Sequence, residues 1–263
     1  MAGNVRTSPR LPLGSFRRQQ VPVILALVLL ATASWSILLR WPMDPMSDGL
    51  TMGLGPVMFL LIWLVMMVAM MFPAATPMIA MFARLASERR GRGQPFVPTW
   101  LFVSTYLVVW LLFGVVVYVV AVLSERLIGL LSLSHATTAR FGAALLIAAG
   151  VYQLTPLKRA CLTKCRSPFH FLLAHWRDGY RGALALGLRH GLYCLGCCWM
   201  LFVLLLPLGF MNIGAMALVT FLIVAEKALP FGRIARFTGA TALLLYGTLA
   251  FVRPEFLPTM PGL

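Results

Sequence analysis

The chain has 263 residues, 60% of them hydrophobic and only 11% charged, with a formal net charge of +15. Soluble domains carry about 25% charged residues, so this composition excludes a soluble globular protein. It points instead to one polytopic membrane domain, with no internal repeat, no low-complexity tract and no second large soluble unit.

Residues 1–20 form a basic tail, expected to be disordered and cytoplasmic. Seven apolar segments follow, at 21–39, 54–82, 99–123, 140–156, 188–210, 212–229 and 236–252. Most reach the roughly 17–25 residues that cross a bilayer. A basic stretch before an apolar run can also be a signal peptide, with Ala31-Thr-Ala33 as its cleavage site, but the run continues to Leu39 and favours an uncleaved anchor. The second segment carries Pro56, Pro73 and Pro77, which predict a kink or a tilt. Residues 157–187 form the one substantial loop, read as cytoplasmic, and the membrane domain covers 21–253 before a C-terminal tail at 254–263.

The basic residues orient this bundle. Seventeen fall on the side of the N-terminus, including Arg84, Arg89, Arg90, Arg92 and seven from Lys158 to Arg189. Four fall opposite, Arg40, Arg126, Arg140 and Arg253. The positive-inside bias predicts an all-α bundle of seven spans, N-terminus in and C-terminus out. The net charge then reflects topology and attraction to anionic lipid. Nucleic-acid binding fits poorly, because the cations are scattered over loops without a recognisable module.

The densest chemistry is His190-Gly-Leu-Tyr-Cys194-Leu-Gly-Cys197-Cys198-Trp, at the head of the fifth segment. At about 100° per residue, His190, Cys194, Cys197 and Cys198 share a helix face of roughly 100°. Imidazole and thiolate are ligands of Cu(I) and Zn(II), so the motif reads as half of a metal site near the cytoplasmic face. Counting back across the turn near Asn212 places Glu226 level with Cys198, as an oxygen ligand or proton acceptor. The competing reading pairs Glu226 with Lys227 at the interface.

Past the fourth segment, Cys161 and Cys165 share a face at i, i+4, crowded by Lys158, Arg159, Lys164 and Arg166. Positive charge favours thiolate, and a reducing cytoplasm argues against a disulfide. In Met66-Met67-Val-Ala-Met70-Met71, followed by Met78 and Met81, thioethers either fill gaps between helices or bind Cu(I), with Met70 and Met71 at the right depth. A looser set, Met43, Asp44, Met46, Asp48 and Met52, lies on the outer side. His135, His170 and His175 read as solvent-facing. No phosphate-cradling loop, nucleophile triad or paired carboxylates appear, so the chain reads as non-enzymatic.

Met-Met-x-Ala-Met-Met-x-Pro (66–73), Tyr-Gln-x-Thr-Pro-Leu-Lys-x-x-Cys-Leu-x-x-Cys-Arg-x-Pro (152–168) and His-Gly-x-x-Cys-x-Gly-Cys-Cys-Trp (190–199) together resemble the bacterial predicted metal-binding integral membrane proteins, a domain of unknown function. Gly209-Phe-Met-Asn212 and Glu226-Lys227 fit the same pattern. The resemblance spans roughly residues 55–230. It implies a multi-pass protein of the bacterial inner membrane, with a metal site at Cys161, Cys165, Cys194, Cys197 and Cys198.

Three functions compete. The first is handling or delivery of copper, with zinc as the alternative metal and a membrane protein or metallochaperone as partner. The second is membrane thiol–disulfide exchange between Cys161/Cys165 and the Cys194–Cys198 group. The third is a scaffold subunit of a membrane complex. The topology is testable on its own: in a His170→Cys variant the new thiol should react with a reagent supplied from the cytoplasm, and labelling from the outer side alone would overturn it.

Overall fold

The computed structural model describes residues 13–41, 49–94 and 97–257, and among these it is all helical, without a strand. The helices are α1 (Leu13–Arg40), α2 (Pro56–Gly91), α3 (Thr99–Leu131), α4 (His135–Leu154), α5 (Pro156–Arg166), α6 (Pro168–His175), α7 (Gly179–Val203), α8 (Leu205–Leu208), α9 (Ile213–Ala228) and α10 (Gly232–Val252). A 3-10 turn, Pro254–Phe256, closes the described chain.

Local chemistry sets the boundaries. Ser134 accepts from Thr137 N at 3.3 Å to cap α4, and Asn212 accepts from Ala215 N at 3.1 Å to cap α9. The important break is at Thr155-Pro156. Thr155 accepts from Lys158 N at 3.3 Å and Pro156 takes the first helical position, so a new helix starts there. Helix α5 consequently leaves α4 at 62°.

Five helices are long and apolar enough to cross a membrane: Gln20–Arg40, Pro56–Gly91, Thr99–Leu131, Gly179–Leu208 and Gly232–Val252. The bent pair α4 and α5 makes a sixth if it counts as one broken span. This differs from the seven expected. The 212–229 segment becomes α9, whose 16 residues cover about 24 Å at 1.5 Å per residue, less than a hydrocarbon core of about 30 Å.

Two other boundaries move. Residues 13–20 of the expected tail are already helical, and most of the expected loop 157–187 is α5, α6 and the start of α7. Nothing between Gly179 and Gly187 breaks a helix, so α7 begins at Gly179 instead of 188. That shift carries Cys194, Cys197 and Cys198 toward the middle of the Gly179–Leu208 span and away from its head.

Helix α2 continues through Pro73 and Pro77 as one element. Proline has no N–H to donate, which frees the carbonyl four residues earlier. Trp35 of α1 meets that need, its indole N–H donating to Ala69 O at 3.1 Å. An apolar environment makes such re-satisfaction obligatory.

Helix α2 packs against α1, α3 and α9, while α3 packs on α7, α4 on α10 and α5 on α7. Gly187 and Gly191 of α7 face Phe102 and Val109 of α3, so these two helices run parallel. Gly150 faces Leu244 and Gly247 faces Ile147, so α4 and α10 run antiparallel. Missing side chains permit these approaches: a Cβ at Gly187 would lie 2.6 Å from the Phe102 carbonyl oxygen. Gly187→Ala should therefore push α3 from α7 and lower stability by about 1–3 kcal/mol, read as a lower melting temperature in detergent. An unchanged melting temperature would contradict this helix contact.

Candidate metal centre

Cys194, Cys197 and Cys198 lie on one face of α7, at i, i+3 and i+4, and all three are buried. The bend at Pro156 lays α5 against that face and brings Cys165 in. Cys165 Sγ stands 3.9 Å from Cys197 Sγ, which stands 3.3 Å from Cys198 Sγ. Cys194 Sγ interacts with all three, and the Cys197 thiol also donates to Cys194 O at 3.2 Å. Four of the five expected thiols therefore form one contiguous cluster.

Cys161 lies at its edge. It packs at Gly196, where a Cβ would come within 2.8 Å of Cys161 Sγ. The Tyr152 hydroxyl donates to the Gly196 carbonyl and ties the end of α4 to α7 at this level. Cys161 and Cys165 are half-buried, so the cluster is graded from a reachable edge to a dry interior. All five cysteines are free thiols.

Lys227 enters from α9. Its ammonium donates to Cys194 Sγ at 2.9 Å, and the Tyr106 hydroxyl of α3 meets the same sulfur at 3.1 Å. Tyr106 is fully buried and Lys227 is 8% exposed. Cys194 is thus the thiol with a cation and a hydroxyl aimed at it.

Glu226 is paired through one oxygen, and its Oε1 has no hydrogen-bond partner among the described residues. Its Oε2 pairs with Lys158 Nζ at 2.7 Å, with both side chains essentially inaccessible. The competing Glu226–Lys227 pair does not form either, because adjacent residues on a helix point in different directions. Lys158 and Arg166, expected to crowd Cys161 and Cys165, instead reach α9. Arg166 donates to Glu226 O at 2.7 Å and to Leu229 O at 3.0 Å, covering the last carbonyls of that helix. Arg159 and Lys164 face outward.

His190 is buried but is held by rings. Its imidazole stacks on Phe102 at 5.7 Å and on Tyr106 at 5.2 Å, and Nε2 has no hydrogen-bond partner among the described residues. Met70 and Met71 are in the core of α2, and neither forms a hydrogen bond to a thiol among the described residues. Met43, Asp44, Met46 and Asp48 lie outside the described residues; Met52 sits on a turn with φ 56°. His135 and His170 are exposed, as expected, while half-buried His175 bonds Phe171 O through Nδ1 at 2.9 Å.

Among the described residues, no group of three or more His, Cys, Asp or Glu side chains is arranged as a ready-made cage for a metal ion. The donor set is soft all the same, since Cys165, Cys197 and Cys198 form a continuous run of sulfurs with Cys194 against them. Tyr106 escaped sequence reasoning, because nothing marks one tyrosine in an apolar run. The pairing of Lys158 was legible in part: Lys158, Cys161 and Cys165 recur at i, i+3, i+7 and so share a face of α5.

Apolar helices of membrane-crossing length therefore enclose a cluster of free thiols, and together they define an all-helical, thiol-bearing bundle. The chain belongs to the PpoB2 family, described as copper chaperones, whose model matches residues 60–250. The match takes in the methionine-rich part of α2, all five cysteines and the Glu226-Lys227 pair. No curated protein and no solved structure matches the chain.

The Lys158–Glu226 pair is testable apart from any metal. Lys158→Met alone should destabilise the protein by about 3–5 kcal/mol, because it strands a buried carboxylate. Adding Glu226→Met should restore most of that loss. Thermal unfolding of the single and double variants in detergent decides it; equal melting temperatures would show that the charges are not paired.

Proposed function

We propose that this protein is a membrane-embedded copper handler that holds Cu(I) among Cys165, Cys194, Cys197 and Cys198 and exchanges it at the Cys161 edge. The observation that carries the reading is the continuous run of sulfurs, 3.9 Å from Cys165 to Cys197 and 3.3 Å from Cys197 to Cys198, in a chain of a copper chaperone family. Cu(I) is satisfied by two or three soft sulfurs and needs no oxygen or nitrogen. Small side-chain rotations suffice to close the thiols on the ion. Zinc is the alternative metal: it needs all four clustered thiolates for its tetrahedron, whereas two or three satisfy Cu(I), the metal that names the family.

Copper is cargo in this reading. The half-buried pair on α5 receives it by stepwise thiolate exchange from a cytoplasmic donor and passes it to the buried triad, or the reverse. The protein performs no catalytic step. The bundle sits in the bacterial inner membrane with α5 and α6 on the cytoplasmic side. The parallel run of α3 and α7 and the antiparallel run of α4 and α10 both suit a seven-crossing chain that counts α9 as a short span, and the cation bias favours its N-terminus-in orientation. A protein partner is needed at the edge, since free Cu(I) is not offered to a site this closed.

A second reading, thiol–disulfide exchange, draws on the Cys165–Cys197 approach alone. Elemental analysis separates the two. Protein purified anaerobically from copper-replete cells should carry stoichiometric copper. The Cys197→Ser/Cys198→Ser double variant should insert normally and lose it, since hydroxyls keep the packing but are poor Cu(I) ligands. A double variant with full copper, or a copper-free wild type whose thiols cycle to a disulfide on mass-shift trapping, sinks the copper reading and leaves the redox one.

A further inference from the structure

Lys227 is buried on α9, and its Nζ lies 2.9 Å from Cys194 Sγ on α7. The adjacent carboxylate is already matched by Lys158, so the ammonium has no carboxylate to neutralise it. Tyr106, the other group on Cys194, is a hydroxyl. The charge facing Lys227 can therefore come only from thiolates. In a low-dielectric interior an unbalanced charge is costly.

We propose that Lys227 is the specificity-determining residue of the thiol site, a fixed positive charge that tunes it to a monovalent soft cation. The inference rests on the copper reading above. Cu(I) with two thiolates carries one net negative charge, and the ammonium brings the site to neutrality. A divalent thiophile with the same two thiolates is neutral before Lys227 is counted, so the ammonium leaves one positive charge uncompensated. A third thiolate restores balance but leaves the divalent ion three-coordinate, and filling four positions with all four clustered thiolates leaves one negative charge that Lys227 does not offset.

The test compares two redox-inert probes, Ag(I) for the monovalent ion and Cd(II) for the divalent one. Each is titrated anaerobically into the reduced, full-length chain in detergent, and sulfur-to-metal absorption in the ultraviolet is recorded. Wild type should bind Ag(I) stoichiometrically and Cd(II) weakly. Lys227→Met should shift the Ag(I)/Cd(II) affinity ratio toward Cd(II) by about tenfold or more, and Lys227→Arg, which keeps the charge, should stay close to wild type. A purely structural role would weaken both ions together and leave their ratio alone. An unchanged ratio in a folded Lys227→Met variant overturns the proposal. If that variant does not fold, wild type and Lys227→Arg decide: preference for Ag(I) in both supports the charge, and stoichiometric Cd(II) in wild type overturns it. Wild type that takes neither Ag(I) nor Cu(I) refutes the copper reading itself, a result distinct from bound Ag(I) without discrimination.

Discussion

Two adjacent residues near the end of α9 carry opposite charges into a dry interior, and helix geometry forbids them from neutralising each other. Each must find a partner on another element. Glu226 takes Lys158 from α5, and Lys227 takes Cys194 from α7. Because a stranded buried charge costs several kcal/mol, these two bonds lock three helices into one register. The thiol cluster is the space enclosed between them.

The backbone supports that lock. At Thr155-Pro156 the chain gives up α4 and starts α5 at 62°, which turns a continuing span into an arm lying across α7. Arg166, at the far end of the arm, closes the open carbonyls of α9. Glycines let the walls approach: Gly196 makes room for Cys161, and Gly187 and Gly191 let α3 reach α7 closely enough for Tyr106 to touch Cys194. Where proline interrupts α2, an indole from α1 takes the freed carbonyl. Each local irregularity has a partner, as an apolar environment demands.

The donor chemistry is correspondingly narrow. Sulfur is concentrated at one place, while the neighbouring imidazole stacks on rings and the neighbouring carboxylate pairs with a lysine. Soft sulfur donors beside one buried lysine are in accord with a family described as copper chaperones.

Composition and periodicity by themselves determined the helical class and the membrane-length segments, because burying a chain that is 60% hydrophobic leaves few alternatives. Cysteine spacing determined that three thiols share one face of α7 and two share a face of α5, since 3.6 residues per turn is a local property. Helix ends and partners were decided only by the tertiary structure. The start of α7 at Gly179, the shortness of α9 and the bend at Pro156 depend on packing and capping across the bundle, and they moved the cysteines from a helix head to mid-helix. Tertiary structure also decided that Glu226 faces Lys158, that His190 sits among rings, and that Tyr106 and Lys227 converge on Cys194. Spacing along a chain states which side chains share a face; only the fold states what that face meets.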